Sequence, residues 1–266
     1  MNNFSNLVKS TRFLAVGISP QAAGEAPATD RQEKVPGFVQ AKRAAVRVVL
    51  IGAGGINSEV GVSEARKGLG QLHIFDHDMV ELSNLNRQRF FREDLYKNKA
   101  ESLGRNLAKE AIAQCSITAY PVRFQDAIDA GMLVPADVVV CGVDNSQARV
   151  AAARYFLKTT PVVFLAVSQD ADHGYVFVQE PGKVCFGCLF PESVNDQLLH
   201  PCSPGIIDIL KVTAGIASYC IDTLIMDRKR NWNYKEIFLS GDIPDRNVLI
   251  EKRDDCPICG REAMHK

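Results

Sequence analysis

The sequence lacks an excess of charge of either sign and lacks long apolar runs. Its 266 residues contain 31 Lys and Arg against 31 Asp and Glu, which gives a formal net charge of zero. A general electrostatic attraction to nucleic acid or to a membrane surface needs a basic excess, so the composition favours neither partner. No run approaches the roughly 18 apolar residues of a transmembrane helix, and the N-terminal residues lack the apolar core of a signal peptide. We therefore expect a cytoplasmic protein.

Cysteine, by contrast, is plentiful. Eight cysteines in a chain without a secretory signal argue for metal binding or thiol chemistry rather than a disulfide framework. Three of them stand in apolar surroundings and are predicted to be small core residues. These are Cys115, Cys141 and Cys220.

Four further cysteines form two C-x-x-C knuckles, each short enough to present two thiolates to one ion. They are Cys185 and Cys188, and Cys256 and Cys259. Four thiolates make a closed tetrahedral site of the kind that holds structural Zn²⁺. The 67 residues between the knuckles exceed the spacing of a small zinc module, so a redox pair is the alternative. Cys202 stands alone next to a predicted helix start, a location that lowers thiol pKa values and favours a nucleophilic thiolate; a purely structural cysteine is the alternative.

Residues 46–55 predict a buried strand followed by a glycine turn. Val48 to Ile51 form a β-branched apolar run, typical of a strand buried on both faces of a parallel sheet. Gly52, Gly54 and Gly55 then leave room for a phosphate to approach backbone N–H groups at the positive end of the next helix. The turn therefore indicates a nucleotide site, although a tight turn that merely closes a βαβ unit is the alternative.

The residues after this turn complete a nucleotide-binding pattern. A helix is predicted to start near Asn57, and the next strand ends in an acidic cluster about 20 residues past the glycines, where a ribose hydroxyl is normally accepted. We assign that role to Asp78. Asn84, Arg87 and Lys99 follow within a short distance. A triphosphate that is being cleaved needs such cations and donors, whereas a dehydrogenase has no use for them beyond its dinucleotide.

Asp144 and Asn145 follow another buried-strand run, residues 137–141. The carboxyl ends of parallel strands are where open sheets place their ligand chemistry, so we expect these side chains to face the same site. The alternative is that the pair only caps the helix predicted to begin near Ser146.

Taken together, four motifs resemble the adenylyltransferase family of ThiF, MoeB and HesA and the ubiquitin-activating enzymes. They are GAGGINSE, DHDMVELSNLNRQ, the helix near Lys99, and VVVCGVDN, in family order and at family spacing. The resemblance covers the chain from Arg31 to Gly260. It implies ATP and Mg²⁺, a homodimer, and a small ubiquitin-like or sulfur-carrier protein whose C-terminal glycine carboxylate is adenylated with release of pyrophosphate.

The resemblance also assigns roles to individual residues. Arg31 matches an arginine that reaches the ATP phosphates of the other subunit in a homodimer, and Asp144 matches an aspartate that serves Mg²⁺ and the triphosphate. The cysteine knuckles match a structural Zn²⁺ site that joins the crossover region to the C-terminus. Cys202 matches a cysteine whose use varies in the family, which makes it a candidate acceptor. Asn57 replaces the usual glycine and is expected to add a side chain against the nucleotide.

The expected fold is α/β, with a Rossmann-like, mostly parallel sheet flanked by helices, extended by antiparallel strands, and a zinc knuckle site near the C-terminus. Residues 1–29, rich in small residues and proline, are expected to form a flexible N-terminal arm, and residues 30–266 a single adenylation domain. That domain would comprise a nucleotide half at about 46–168, a mobile crossover loop at about 180–205 and a C-terminal half at about 206–266.

The expected function is ATP-dependent adenylation of the carrier, followed by transfer to a cysteine if Cys202 is the acceptor. A downstream conjugating or sulfur-transfer enzyme is the further partner implied. One alternative is a nucleotide-binding regulatory or redox protein of the same fold without acyl-adenylate chemistry. Another is a relative that acts on a small or tRNA-borne acceptor, and the zero net charge disfavours the tRNA.

Overall fold

The computed structural model describes residues 8–18, 24–132, 134–194 and 205–260. Within these residues nine strands form one sheet. They are β1 (Thr11–Ala15), β2 (Arg47–Ile51), β3 (Gln71–Phe75), β4 (Cys115–Tyr120), β5 (Val138–Cys141), β6 (Val162–Val167), β7 (His173–Gln179), β8 (Tyr234–Phe238) and β9 (Arg246–Val248).

Eight α-helices occur in the same part of the chain. They are α1 (Asp30–Glu33), α2 (Gln40–Ala45), α3 (Gly55–Arg66), α4 (Lys99–Glu110), α5 (Phe124–Asp129), α6 (Ser146–Tyr155), α7 (Phe186–Leu189) and α8 (Ile207–Ile225). Short 3₁₀ turns add Leu82–Asn84, Arg92–Asp94 and Pro191–Val194. None of the helices in the described ranges is both long enough and apolar enough to cross a bilayer.

The centre of the sheet is parallel and its ends are antiparallel. Strands β4, β3, β2, β5 and β6 lie side by side in that order and run parallel. Antiparallel β1 closes one edge, and β7, β8 and β9 extend the other. The chain moves from β2 to β3 on one side and from β5 to β6 on the other, so β2 and β5 form a topological switch point. The expected parallel centre with an antiparallel extension is confirmed.

Both faces of the central strands are buried. Val48 and Leu50 of β2 pack in the layer that contains α3, α4 and α8, and Val49 and Ile51 pack in the layer that contains α5, α6 and α7. The alternation follows from the pleat of the strand, in which successive side chains point to opposite faces. All four side chains are at most 2% exposed, which confirms the buried run predicted from the sequence.

Part of the predicted N-terminal arm is ordered instead. Thr11–Ala15 pairs antiparallel with β4 as an edge strand, so the expectation of a flexible arm is wrong for this segment. Phe13 and Ala15 point toward the core on alternate positions, and Phe13 packs so tightly on Gly104 of α4 that a Cβ there would lie 2.9 Å from its ring. The alternation of inward and outward side chains covers only five residues, which is too short to predict a strand in a segment rich in small residues and proline.

Two other boundaries differ from the sequence-based expectation. Helix α3 begins at Gly55 rather than near Asn57, because Gly54 already takes the extended conformation of an N-cap. The first part of the predicted mobile connection, from residue 180 to residue 194, contains α7 and a 3₁₀ turn, and Phe186 is buried. Aromatic packing of Phe186 on Phe164 of β6 holds this part against the sheet. Residues 195–204 lie outside the described ranges.

Candidate nucleotide site

The glycine turn lies at the carboxyl end of β2, at the switch point. Gly52 has a φ of 92°, a conformation that favours glycine, and its N–H donates to the carbonyl of Phe75 at 2.8 Å. Gly54 is the N-cap of the 12-residue helix α3 and offers no side chain to its first N–H groups. Around Gly54 the space is open, with no heavy atom within 4 Å of an added Cβ. An anion can therefore reach the free N–H groups and the positive end of α3.

Two carboxylates follow β3, and they occupy different environments. Asp76 lies against the turn: its Oδ2 accepts the Ala53 N–H at 2.7 Å, its Oδ1 accepts the Asp78 N–H at 2.8 Å, and it is 8% exposed. Burial raises the pKa of Asp76 above its ordinary value. Asp78 is half exposed and forms an ion pair with Lys99, with 3.0 Å between Oδ2 and Nζ. The sequence assigned the ribose to Asp78 alone, and the structure adds Asp76 to the same cleft.

The predicted amide and arginine come from the loop after β3. Asn84 is buried, and its Oδ1 accepts the Glu81 N–H at 3.0 Å, which closes the 3₁₀ turn. Arg87 Nη1 donates to the Ser83 carbonyl at 2.7 Å, so its guanidinium lies along the same loop. Both residues, with Lys99 at the start of α4, line one cleft.

A buried carboxylate anchors this loop to the core. Asp94 accepts hydrogen bonds from the Phe91 N–H, from Asn106 Nδ2 at 2.7 Å and from Arg105 Nη2 at 2.6 Å. Burial alone would raise the pKa of Asp94, but these bonds outweigh it and hold that pKa below its usual range. Asn106 also donates to the Arg89 carbonyl at 3.1 Å, close to Arg87 in the chain. The loop that carries the cation is therefore fixed by α4.

The sequence left open whether Asp144 and Asn145 face the site or only cap α6, and in the structure each residue takes one of these roles. Asn145 is the N-cap of α6, since its Oδ1 accepts the Ala148 N–H at 2.8 Å. Asp144 is exposed on the wall of the cleft, two residues beyond Gly142 at the end of β5. The cap is thus made by the asparagine, and the aspartate is available for a ligand.

Asn57 differs from the expectation that its side chain faces the nucleotide. The side chain is fully buried, and its Nδ2 donates to the carbonyls of Ile51 and Gly52, both at 2.8 Å. Its Oδ1 lies where a Cβ on Gly142 would stand 2.3 Å away, so the amide fills the space between the ends of β2 and β5. The side chain supports the turn from inside the fold and leaves the phosphate side of the turn open.

Arg31 lies away from this cleft. Its side chain is 94% exposed, and helix α1 is attached to the far end of α3 through a bond of 3.1 Å from Gln32 Nε2 to the Lys67 carbonyl. The glycine turn is at the other end of α3, and a helix of 12 residues is about 18 Å long. Arg31 is therefore not brought together with the other predicted residues within one chain.

The four knuckle cysteines converge although the chain separates them. Their sulfur atoms lie within 4.8 Å of one another, all four side chains are buried, and the cysteines are free thiols rather than disulfides. The Sγ atoms of Cys185 and Cys256 are 3.5 Å apart, those of Cys188 and Cys259 are 3.5 Å apart, and those of Cys185 and Cys188 are 3.9 Å apart. A metal ion with four sulfur ligands needs this arrangement. Cys202 lies outside the described residues.

One cleft of about 1090 Å³ unites the site. It runs along the carboxyl ends of β3, β2, β5 and β6. Nine predicted residues line it: Gly52, Gly54, Gly55, Asp78, Asn84, Arg87, Lys99, Asp144 and Asn145. Arg149 also lines the cleft, and the sequence did not predict it because an arginine in a helix gives no motif signal of its own.

An open glycine turn, two carboxylates and nearby cations at the switch point of a parallel sheet are the features of a nucleotide-binding α/β protein. Comparison with known proteins narrows this class. The family model described as "ThiF family" matches residues 29–257. The chain belongs to the ThiF family, as its motifs predicted.

Curated relatives carry names of activating enzymes. The chain is 31% identical over 233 residues to a Nedd8-activating enzyme E1 catalytic subunit of Drosophila melanogaster, covering 81% of the chain and 49% of that protein. It is 29% identical to a sulfur carrier protein adenylyltransferase of Thermus thermophilus, covering 85% of each. It is 28% identical to a SAMP-activating enzyme E1 of Haloferax volcanii, covering 82% of each. The chain thus spans about half of the Drosophila protein and most of the other two.

Solved structures support the fold. E. coli MccB with ATP superposes with a TM-score of 0.74 at 21% identity, covering 90% of this chain and 75% of that one. MccB in complex with N-formylated MccA gives a TM-score of 0.72 at 22% identity, covering 91% and 77%. At these identities the likeness concerns the fold alone.

Proposed function

We propose that this protein adenylates the C-terminal glycine carboxylate of a small ubiquitin-like or sulfur-carrier protein, using ATP and releasing pyrophosphate. The observation that carries the proposal is the single cleft in which the glycine turn, Arg87, Lys99 and Asp144 meet at the switch point. The relatives that match over most of their length, those of Thermus and Haloferax, carry names of the same activity.

Each part of the cleft has a task in this reaction. The N–H groups at the start of α3 bind phosphate, and the ribose hydroxyls hydrogen bond to Asp78 or to the neighbouring Asp76. A carrier carboxylate oxygen attacks the α-phosphorus, the bond between the α-phosphorus and the bridging oxygen breaks, and pyrophosphate leaves. Negative charge then develops on the phosphate oxygens, and Arg87 and Lys99 are the cations positioned to stabilise it, with the Asn84 amide beside them.

The residues present also fit Mg²⁺. Asp144 offers a carboxylate oxygen, the ligand type that Mg²⁺ prefers, and this oxygen is not used by the helix cap that Asn145 makes. When bound, Mg²⁺ supplies positive charge to the triphosphate. Asp144 is the residue that would hold it on this wall of the cleft.

The four-cysteine cluster fits a structural Zn²⁺ ion. A Zn–S distance of about 2.3 Å in a tetrahedron places the sulfurs about 3.8 Å apart. The separations of 3.5, 3.5 and 3.9 Å are close to that value. All four thiols are buried, whereas a redox pair needs access to its partner, so the geometry favours the metal over the alternative of a redox pair. The ion would tie α7 to the C-terminal knuckle.

A homodimer explains the position of Arg31. Helix α1, which carries the exposed Arg31, is tied to the end of α3 opposite to the glycine turn, and α3 is about 18 Å long, so Arg31 lies away from the phosphate site of its own chain. In a twofold dimer the same arginine can enter the cleft of the other subunit. Our proposal is therefore that the site is completed by Arg31 in trans.

Carrier-dependent exchange of pyrophosphate into ATP tests the activity. The purified protein is incubated with Mg-ATP, labelled pyrophosphate and small proteins from the same source that end in glycine. Label should enter ATP with the intact carrier and not with the same carrier shortened by its terminal glycine. Nucleotide binding without exchange for any of these carriers would instead support the regulatory alternative.

Cys202 remains a predicted acceptor of the acyl group. If its thiolate attacks the adenylate, AMP leaves and a thioester joins carrier and enzyme. Cys202→Ala should then keep pyrophosphate exchange and lose a thiol-sensitive covalent adduct, detected by mass spectrometry of the intact protein. An unchanged adduct in the variant would show that the reaction of this enzyme stops at the adenylate.

A further inference from the structure

Arg149 is a buried arginine on the wall of the cleft. It lies in the first turns of α6, five residues after Asp144, and is 8% exposed. Its Nη1 donates to the Tyr175 hydroxyl at 2.9 Å, and its Nη2 donates to the carbonyls of Leu165, at 3.1 Å, and Val143. The guanidinium therefore connects the chain beyond β5 with β6 and β7.

Among the residues that the structure describes, no carboxylate forms an ion pair with this guanidinium. Its three acceptors are two carbonyls and a phenol. Arg43 shows the usual solution, since it is fully buried and forms ion pairs with Glu64 and Asp222. A buried charge without a counter-ion is costly, so a cation kept in this state beside a cleft points to an anionic ligand.

The position of Arg149 shows which half of the cleft it serves. The glycine turn and Asp76 lie at β2 and β3, on the nucleotide side of the switch point. Arg149 binds main-chain carbonyls at the ends of β5 and β6, on the other side. One of them, the Val143 carbonyl, immediately precedes Asp144. The side of the cleft near β6 is lined by Leu165, Ala166 and Val167, so the cleft continues past Arg149 beyond the nucleotide side.

We propose that Arg149 is a positioning residue for the carboxylate substrate. It fixes the main chain that carries Asp144 and places a buried positive charge beneath the β6 side of the cleft, where the carrier carboxylate approaches. In the dry interior this charge offsets part of the repulsion between the carboxylate and the triphosphate. Tyr175 orients the guanidinium through its hydroxyl. The inference rests on the proposed adenylation and deepens it.

Steady-state exchange kinetics with ATP and carrier varied separately test the proposal. Arg149→Met removes the charge and the donors at similar volume, and should lower kcat/KM for the carrier by about 100-fold. The dissociation constant for ATP, measured without Mg²⁺ so that Asp144 does not contribute, should stay within about threefold of wild type, because the glycine turn, Asp76 and Asp78 are untouched. Arg149→Lys keeps the charge without the planar fork and should lower kcat/KM for the carrier by a smaller factor. Tyr175→Phe should lower it by the smallest factor of the three.

Chemical rescue separates this role from general structural support. Arg149→Ala leaves a space of the size of guanidinium, so millimolar guanidinium should restore part of the carrier-dependent rate and methylammonium should restore less. Arg230→Met is the matched control. Arg230 is also buried, with a side chain that is 6% exposed, but it pairs with Glu180 and stacks on Trp232 outside the cleft. The control should leave the kinetics for both substrates unchanged.

The inference would be overturned if Arg149→Met weakened ATP binding as much as it lowered kcat/KM for the carrier, or if its kinetics were those of wild type. Either result would leave the proposed adenylation intact. No exchange by the wild-type protein would contradict the proposed function itself, and with it the role of Arg149. If Arg149→Met fails to fold, as judged by thermal melting and metal content, Arg149→Lys and the rescue experiment decide the matter.

Discussion

In the parallel centre of the sheet, polar side chains gather at the carboxyl ends of the strands. At the antiparallel end, the side chains able to do chemistry are four cysteines, and they are buried under the sheet. The first arrangement leaves Asp144 exposed in a cleft, and the second gives four thiols almost no contact with water. Parallel strands end on the same side, so their following loops meet there without help from distant sequence. The antiparallel end instead joins Cys185 to Cys256, 71 positions away. One region leaves polar side chains open to a ligand, and the other brings distant parts of the chain into contact.

The largest effect is expected from a substitution in the parallel centre, which tests whether the groups there perform the adenylation. Asp144→Asn removes a charge that is exposed in the cleft and is not part of the cap of α6. We expect carrier-dependent pyrophosphate exchange to fall by about 10²–10³-fold, the range measured for removal of one group that stabilises transition-state charge. Melting temperature and metal content should not change. Asn145→Ala is a useful contrast, since it should lower stability through loss of the cap.

The next prediction concerns the antiparallel end. Cys188→Ser removes one thiolate of the buried cluster, so bound metal should disappear and the melting temperature should fall by about 10 °C. Cys115→Ala, at a buried cysteine outside the cluster, is the control and should keep the metal. Metal analysis and calorimetry provide the measurements. Full metal content in the Cys188 variant would contradict the assignment of the cluster as a zinc site.

A mixing experiment asks whether the cleft is complete within one subunit. Arg31→Ala and Asp144→Ala proteins should each be inactive in exchange. After random subunit exchange half of the dimers are mixed, and each mixed dimer contains one complete site if Arg31 acts in trans, so activity should return to about one quarter of wild type. Native mass spectrometry verifies the mixing. Mixed dimers without activity would leave Arg31 outside the chemistry of the partner's cleft.

The smallest expected effect concerns His73 of β3, in the parallel centre, and its contribution to the pH dependence of the unfolding free energy. Burial, followed by the charges of Arg47 and Arg12, lowers the pKa of His73 to about 4. The unfolded imidazole binds a proton below about 6.5 and the folded one does not until about 4, so this group lowers stability as the pH falls between these values.

His73→Gln removes that titration. Because the ring is partly accessible, we expect the loss of unfolding free energy between pH 7 and pH 4 to shrink by about 2 kcal/mol relative to wild type. Urea unfolding of both proteins at the two pH values measures the difference. Parallel pH profiles would show that His73 does not titrate differently in the folded state.

Much of the fold was predictable because its signals are local. The run Val48 to Ile51, the glycines after it and the helix near Lys99 each appear as a short pattern, and each forms the expected element. The family resemblance drawn from the motifs is confirmed. The short strand at Thr11–Ala15 was missed, since five residues with a weak alternation carry too little information without their partner β4.

For the candidate site too, part was predictable from local sequence and part was not. The sequence by itself determined which groups are available: the glycine turn, the acids after β3, Arg87, Lys99 and two cysteine pairs. A motif fixes residue type and spacing, and these decide what chemistry a segment can perform.

Only the tertiary structure decided what lies beside each group. It turned Asn57 inward onto the carbonyls of Ile51 and Gly52, and it brought the two cysteine pairs together. It also placed Arg149 against the carbonyls of two strands without a carboxylate partner among the described residues. The physical reason is that burial and hydrogen-bond partners depend on chain segments that are distant in sequence, and no local pattern contains them.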